Sequence, residues 1–353
     1  MSSTAPTEVE MARRTTMQDI AREAGVSQAT VSLVLNEATA GRVSKETANR
    51  VRQTATELGY RTNAHAKVLR EGRSTMIGFI GDEVATSPFA GELIKGAQHQ
   101  AWAEQHVLLT VDTNRVPRLE QAAITMMQSY SVIGIIYAAM YHRVVSLPAE
   151  LQGVPAVCVN AEDERGSVAS IFPDEERGGR EAAELLLDRG HRRLAVINIA
   201  PEDSKLPAAA GRLAGFRATL TKRGLALPPE HVVHGSGIHA DGVAFTHHLM
   251  RLPEPPTAIF CANDRTALGC YQALREMGLC VPEDVSVVGF DDQDILGDCF
   301  APGLTTFRLP FERIGREAVE RLLSPEPDTR PLRSAIPCPL VERGSVSAPP
   351  ATH

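Results

Sequence analysis

The sequence predicts an α/β protein with a three-helix helix-turn-helix head at its N-terminus and a two-lobed body of parallel, doubly wound sheets behind it. Three observations carry that reading. Residues 16–60 break into three short helical segments at capping residues. From residue 76 onward, short continuous apolar runs alternate with helical segments in two successive sets, the pattern of parallel sheets covered on both faces. Charge divides at the same place: residues 11–73 carry eleven Lys/Arg against six Asp/Glu, whereas residues 74–353 carry 25 against 35, in a chain of net charge −7. A basic head on an acidic body points to phosphate contact by the head and a separate task for the body.

With 353 residues, 43% hydrophobic and 22% charged, the chain has an ordinary globular composition and a length suited to two or three domains. The ends, 1–14 and 344–353, are expected as disordered tails, being rich in small residues and Pro without apolar periodicity. No opening segment carries the apolar core of a signal peptide, and no apolar run nears the roughly 20 residues that span a bilayer. The expectation is a cytoplasmic protein with no membrane contact. Its six cysteines form no C-x-x-C pair, which argues against a disulfide framework or a zinc knuckle, and read as small buried hydrophobes. His231, His234, His239, His247 and His248 lack partners at ligand spacing and read as surface residues, so neither a metal nor a cofactor is expected.

The first helix, 17–25, follows Thr16 and ends at Gly25; the second, 28–36, follows Ser27; the third, from 45, follows Ser44 with Thr47 in its first turn. At about 100° per residue, Val31, Val34 and Leu35 of "SQATVSLVLN" share one side and should face Ile20, Ala21, Val51 and Leu58. Gln28, Ala29, Ser32, Leu33 and Asn36 fall on the opposite arc, which faces the major groove when this motif reads DNA. Leu33 is then an apolar residue outside the core. It is either an exposed leucine of no consequence or an apolar contact to a thymine methyl.

The order Asp19-Ile20-Ala21, Ala24-Gly25-Val26-Ser27, Thr30-Val31-Ser32 and Val34-Leu35-Asn36, continued by Val43-Ser44, Thr47 and Leu58-Gly59-Tyr60 with Asn63, resembles the DNA-binding domain of the lactose-repressor/galactose-repressor family. The resemblance implies a helix-turn-helix domain over 15–61 and, as partner, double-stranded, pseudo-palindromic operator DNA. By the same correspondence Gln28 and Ala29 choose the operator, Thr30, Ser32 and Asn36 hold phosphates and frame the helix, and Thr16, Tyr60 and Asn63 join the DNA-binding surface. Leu33 departs from the pattern, because many members place an Arg there. Residues 62–74 resemble the family's hinge helix, with Ala66-Lys67-Val68-Leu69 at its usual A-R-x-L. Lys67 would then lie on DNA, and Leu69 would either wedge into a minor-groove base step or begin the body's core.

In the body, strands at 76–84, 107–112, 132–138 and 155–160 alternate with helices at 90–106 and 118–129. A second set places strands at 193–200, 231–236, 257–263 and 285–292 among helices at 174–190, 208–224, 241–252 and 265–278. Ligands of such sheets sit beyond the carboxyl ends of the strands. That directs attention to Asp82, Asn160, Asn263 with Asp264, Asp291 with Asp292, and Arg212, which begins a helix. A helix cap at Asp264 and a turn residue at Asp292 are the competing readings.

The runs "RGHRRLAVI", "GRLAGFRATL", "FCANDRTALGCYQALREMGLCVPEDVSVVGFDD" and "PGLTTFRLP" are similar to that family's effector domain, which is related to periplasmic sugar-binding proteins. This likeness implies a periplasmic-binding-protein-like body over 75–343 that binds effector and dimerises, with lobe 1 at about 75–172 and 305–335 and lobe 2 at about 173–304 and 336–343. It implies effector binding by Asp82, Phe89, Asn160, Arg212, Asn263 and Asp291, the effector being a small polar molecule, a carbohydrate in first place, with pentose, hexose, nucleoside and phosphorylated sugar all left open. Effector closure would alter the spacing of two heads in a homodimer and so control a repressor's operator affinity. Trp102 is expected in a lobe core or the dimer interface. The rival reading, a solute-binding protein for sugar transport, shares the body but has no use for the head. An enzyme would need a nucleophile elbow or phosphate loop, and the chain carries neither G-x-S-x-G nor G-x-x-x-x-G-K.

Overall fold

The computed structural model describes residues 15–35, 42–60, 74–84, 91–297, 299–324 and 332–351, in two units that divide between Arg73 and Ser74. In the first unit, helix α1 (Met17–Ala24) opens with a capping box: Asp19 N donates to Thr16 Oγ1 at 3.3 Å and Thr16 N donates to Asp19 Oδ2 at 3.0 Å. It closes at Gly25, whose φ of 63° is the left-handed turn that glycine adopts without strain. Helix α2 (Gln28–Leu35) is capped by Ser27, whose Oγ accepts from Thr30 N at 3.1 Å. Helix α3 (Lys45–Glu57) is capped by Ser44, whose Oγ accepts from Thr47 N at 3.2 Å.

Ile20, Ala21, Ala24, Val31, Val34, Ala48, Val51 and Ala55 form the core of these helices, with Leu35 and Tyr60 partly buried against it. Leu58 is not part of it and is 37% exposed, contrary to the expectation. The cause is the helix end: Leu58 is the C-cap, the chain turns through Gly59, and Tyr60 N returns to Ala55 O at 2.9 Å, so Tyr60 covers the core there.

In the second unit, β1 (Met76–Asp82), β2 (Val107–Asp112), β3 (Ile135–Val145), β4 (Ala156–Asp163), β5 (Ala169–Pro173) and β11 (Arg333–Ile336) make a parallel six-stranded sheet in the order β11-β5-β4-β3-β1-β2. A second parallel sheet takes the order β7-β6-β8-β9, from β6 (Leu194–Asn198), β7 (Val232–His234), β8 (Ala258–Cys261) and β9 (Ser286–Val288). An antiparallel pair, β10 (Thr306–Phe307) with β12 (Leu340–Val341), lies where the chain passes between lobes. The helices are α4 (Gly91–Ala103), α5 (Pro117–Ser129), α6 (Glu175–Asp188), α7 (Pro207–Lys222), α8 (His239–Leu249), α9 (Asp264–Glu276), the short α10 (Asp294–Gly297) and α11 (Phe311–Leu323).

Two features position the site. Helices α6 and α7 cross so closely that a methyl on Gly179 would collide with the Arg212 carbonyl oxygen and one on Gly215 with that of Glu176. Glycine at both positions thus brings Arg212 down against the start of α6. A column of buried rings, Phe216–Phe260–Phe290–Phe307, with centroids 5.4, 6.4 and 5.6 Å apart, then runs from α7 through β8 to β10. Burying each such ring stabilises the fold by roughly 2–3 kcal/mol.

Several expectations need correction. β5 was not foreseen, and β3 runs on past Ala138. The expected tail at 344–353 is, over its described part, tied to lobe 2: Val287 N donates to Ser345 O at 2.9 Å, Ser345 Oγ donates to Val287 O at 2.6 Å, and Ser347 O lies 2.9 Å from the buried His191 Nε2. The backbone at the β9 edge needs partners, and this segment supplies them. His231 is buried with Nδ1 3.0 Å from Leu194 O, not on the surface, while Cys280 and Cys299 are exposed rather than buried. Trp102 is 72% exposed, so it belongs to no lobe core. No described helix is long and apolar enough to cross a membrane, and no described group of three His, Cys, Asp or Glu is placed to hold a metal.

Candidate functional site

In the head, α2 exposes Gln28 and Ala29, and Ser32 and Leu33 are half-buried. Leu33 lies outside the apolar cluster that holds the helices together. The Thr30 hydroxyl is 2.9 Å from that of Ser27, and Thr16 is exposed at the tip of α1, where it caps the helix. Both therefore set the pose of their helices, Thr16 from an exposed position and Thr30 from a half-buried one. Asn36, Asn63, Lys67, Leu69 and Phe89 lie outside the described residues.

In the body, one cavity lies between the lobes. Lobe 1 contributes Met140, Tyr141, His142, Asn160, Leu309 and Phe311; lobe 2 contributes Glu175, Ile199, Ala208, Arg212, Asn263 and Asp291. Its lobe 1 wall rests on a strand irregularity. The β3–β4 register breaks between Ala138, opposite Val159, and Arg143, opposite Ala161, so the extra residues of β3 bulge into the cleft. Asn160, at φ 49°, pins the bulge by donating from Nδ2 to the carbonyls of Ala139 and Met140, both at 2.9 Å.

Asp82 holds the bulge from beneath and does not line the cavity, which corrects its expected place among the effector contacts. Its Oδ1 accepts from Met140 N at 2.6 Å and its Oδ2 is ion-paired with Arg143 and, at 3.3 Å, with Arg115. A buried carboxylate at a strand end finds its nearest donors in the adjoining chain, and these occupy it.

Arg212 is the centre of the lobe 2 wall. It is the sixth residue of α7, not the start of a helix, and is buried. Its Nε donates to Glu175 Oε2 at 2.7 Å, its Nη1 donates to Asp291 Oδ1 at 3.3 Å and to Ala262 O, and its Cζ lies 3.8 Å above the Phe290 ring. Burial pushes the Asp291 carboxyl up to about 6, with Arg212 pulling the other way. Burial acts on Glu175 in the same sense, but the Arg212 charge and the neighbouring His142 outweigh it and hold Glu175 below the usual carboxylate range. Asn263 reaches the cavity with both amide atoms engaged: Oδ1 caps α9 by accepting from Thr266 N at 2.8 Å, and Nδ2 donates to Gly237 O at 2.9 Å. The cap of that helix is therefore Asn263 and not Asp264.

Three cleft residues were missed in the sequence. His142 stacks on Phe172 with centroids 4.5 Å apart, places Nε2 3.0 Å from Glu162 Oε1 and points Nδ1 at Glu175 Oε1 of the other lobe, 3.7 Å away. Burial disfavours the charged imidazole, but Glu162 and Glu175 outweigh it and raise its pKa. Glu175 and Tyr141 complete the set. The missing signal for Glu175 was β5: once that strand is recognised, Glu175 is a polar residue just past a carboxyl end.

A helix-turn-helix head and a polar cleft between two parallel-sheet lobes, in one chain, define a DNA-binding regulator with a ligand-binding body. The profile of the bacterial regulatory proteins of the lacI family matches residues 16–63, and that of the periplasmic binding protein-like domain matches residues 183–346. Over 340 residues the chain is 31% identical to the HTH-type transcriptional repressor PurR of Erwinia tasmaniensis, spanning 95% of this chain and 98% of that protein. It is 32% identical over 308 residues to the HTH-type transcriptional regulator DegA of Bacillus subtilis, spanning 86% and 89%. Among solved structures, the lac repressor dimer bound to operator and the anti-inducer ONPF matches at TM-score 0.79 and 27% identity, over 95% of this chain and all of that one. A complex of the transcriptional regulator CelR with cellobiose matches at TM-score 0.64 and 28% identity, over 94% of this chain and all of that one. The chain belongs to the lacI family and is a DNA-binding transcriptional regulator; these relatives are regulators and not enzymes.

Proposed function

We propose that this regulator is a cytoplasmic repressor that binds a pseudo-palindromic operator as a homodimer and changes its grip when a small polar effector, a carbohydrate, occupies the cleft. The observation that carries the reading is the facing of Arg212, Glu175 and Asp291 on one side by Asn160 and His142 on the other. The space between them is about 10 Å³, room for about one water, whereas ligand pockets run to roughly 300 Å³ or more. Entry of a sugar therefore requires the lobes to part, and ligand binding is tied to lobe angle. That CelR was solved with cellobiose supports a sugar in this cleft.

In this reading Gln28, Ala29 and Leu33 meet base edges, Thr16, Thr30, Ser32, Asn36, Tyr60, Asn63 and Lys67 position the head on the backbone, and Leu69 wedges into a base step. Asn160, Arg212, Asn263, Asp291 and Phe89 surround the effector. Pairing of two copies is supported by apolar residues exposed on β2 and its neighbouring helices: Trp102, Val107, Leu119, Met126 and Tyr130. Asp291→Asn, which keeps the side chain's size and an oxygen to accept from Arg212, tests the scheme by fluorescence anisotropy on labelled operator. The variant is expected to bind operator like the wild type and to lose the response to effector; an intact response would refute the assignment.

A further inference from the structure

His142 is held between carboxylates of both lobes. Its ring, 5% exposed, stacks on Phe172 with an interplanar angle of 17°. On the lobe 1 side Nε2 lies 3.0 Å from Glu162 Oε1, and Arg333 pairs with the other oxygen of that carboxylate. On the lobe 2 side Nδ1 lies 3.7 Å from Glu175 Oε1, while Arg212 pairs with Glu175 Oε2 at 2.7 Å and reaches on to Asp291. On its own strand, the neighbouring Arg143 turns away to Asp82. An ionised carboxylate only accepts, so both imidazole nitrogens point at acceptors. A neutral imidazole has one N–H and leaves its other lone pair against a carboxylate; the imidazolium, with two, fits both sides. Burial disfavours that charge, but the two glutamates outweigh it and raise the pKa above the ordinary 6.5. Lying flat on the Phe172 ring favours the cation further.

We propose that His142 is a pH-sensitive latch between the lobes: protonated, it joins Glu162 of lobe 1 to Glu175 of lobe 2 and holds the cleft shut; neutral, it lets the lobes part. This deepens the reading of the cleft as the effector site and rests on the lobes parting to admit a ligand. Parting withdraws Glu175, after which the neutral tautomer with its N–H on Nε2 satisfies Glu162 alone. The closed form therefore binds the proton more tightly than the open form, and proton affinity and lobe angle are linked. The latch is fully present below the open-state pKa and is lost as pH rises through the raised closed-state value, so acid closes the cleft and mild alkali loosens it. Each unit between those two pKa values is about tenfold in the closed-to-open ratio. Because a ligand enters only through that cleft, the regulator's response to it becomes a function of pH.

Two measurements on the full-length chain test the latch. NMR of ring-labelled histidine follows the His142 imidazole, identified by its absence in His142→Gln, against pH. Its pKa is expected above 6.5. It should fall by about half a unit or more in Glu175→Gln, which keeps an oxygen for Arg212. Double electron–electron resonance follows the lobe angle between nitroxides at Glu164→Cys, just past the carboxyl end of β4, and Asp203→Cys, past that of β6, with Cys280→Ser and Cys299→Ser removing the exposed native thiols. Labelled chains are diluted with unlabelled protein, so that each distance lies within one chain. From about pH 5.5 to about pH 8.5 the ratio of long to short distances should rise at least about threefold in the wild type. That rise should fall by about half or more in His142→Gln and in Glu175→Gln, either of which suffices if the other does not fold, and should move to lower pH in Glu162→Gln. A His142 pKa that Glu175→Gln leaves unmoved, or a pH response equal in His142→Gln and wild type, overturns the latch and leaves the lobes free to move. One fixed distance in every variant at every pH overturns the lobe motion on which the latch depends.

Discussion

In the head, polar side chains sit in or near water and serve the backbone: Thr16 with Asp19, Ser27 and Ser44 cap the three helices. In the cleft they are buried and serve one another: Glu175, Arg212 and Asp291 are joined by ion pairs, and His142 reaches toward them from the opposite lobe. The difference teaches where function and stability are separable. A solvated residue outside the apolar core of the head can change without disturbing the fold, whereas a buried charge removed from a network leaves its partners uncompensated.

The largest effect is expected from Arg212→Ala. It strands two buried carboxylates and should destabilise the body by about 3–5 kcal/mol in urea unfolding. A loss below about 1 kcal/mol would break the contrast between cleft and head.

Asp264 sharpens it through pH. It lies buried between Thr306 Oγ1 at 2.7 Å and Gln293 N at 2.9 Å, tying the start of α9 to the chain at both positions. Burial, then the neighbouring charge of Asp291, pushes it up to about 8 from an ordinary value of 3.8. The folded state therefore keeps a proton that the unfolded state has released. The contribution is fully present below about pH 4 and is lost as pH rises toward about 8. Asp264→Asn should remove that slope, so its stability relative to wild type rises by at least about 1 kcal/mol between roughly pH 5 and pH 8. A parallel pair of stability curves would place the titration elsewhere.

Leu33→Arg lies at the other extreme. Its stability should stay within about 0.5 kcal/mol of the wild type, while selection from random DNA should return different preferred bases. Identical base preferences would make Leu33 an ordinary half-buried leucine.

Legibility in the sequence followed the same division. The head is local: its caps, turn and core lie within one short stretch, so periodicity and punctuation located every helix, and the one misplaced core residue, Leu58, sat at a helix end. In the cleft, Arg212, Asn160, Asn263 and Asp291 could be found because they stand in recognisable runs or at strand ends. Glu175 could not, since it follows an unrecognised strand and looks like an ordinary first-turn acid behind the Asp174 cap. His142 was hidden by a bulge that no alternation pattern announces, and Asp82 was misassigned because its partners, Arg143 and Arg115, are distant in sequence. Pairings between remote elements have no local sequence signal.

The central claim is that the cleft and the head are energetically coupled, and coupling between two binding equilibria is reciprocal. The direct measurement is effector affinity, by titration calorimetry, on the free protein and on protein saturated with operator. The two affinities should differ by the same factor by which saturating effector changes operator affinity, on the order of 5- to 150-fold. Equal effector affinities with and without DNA would contradict the account.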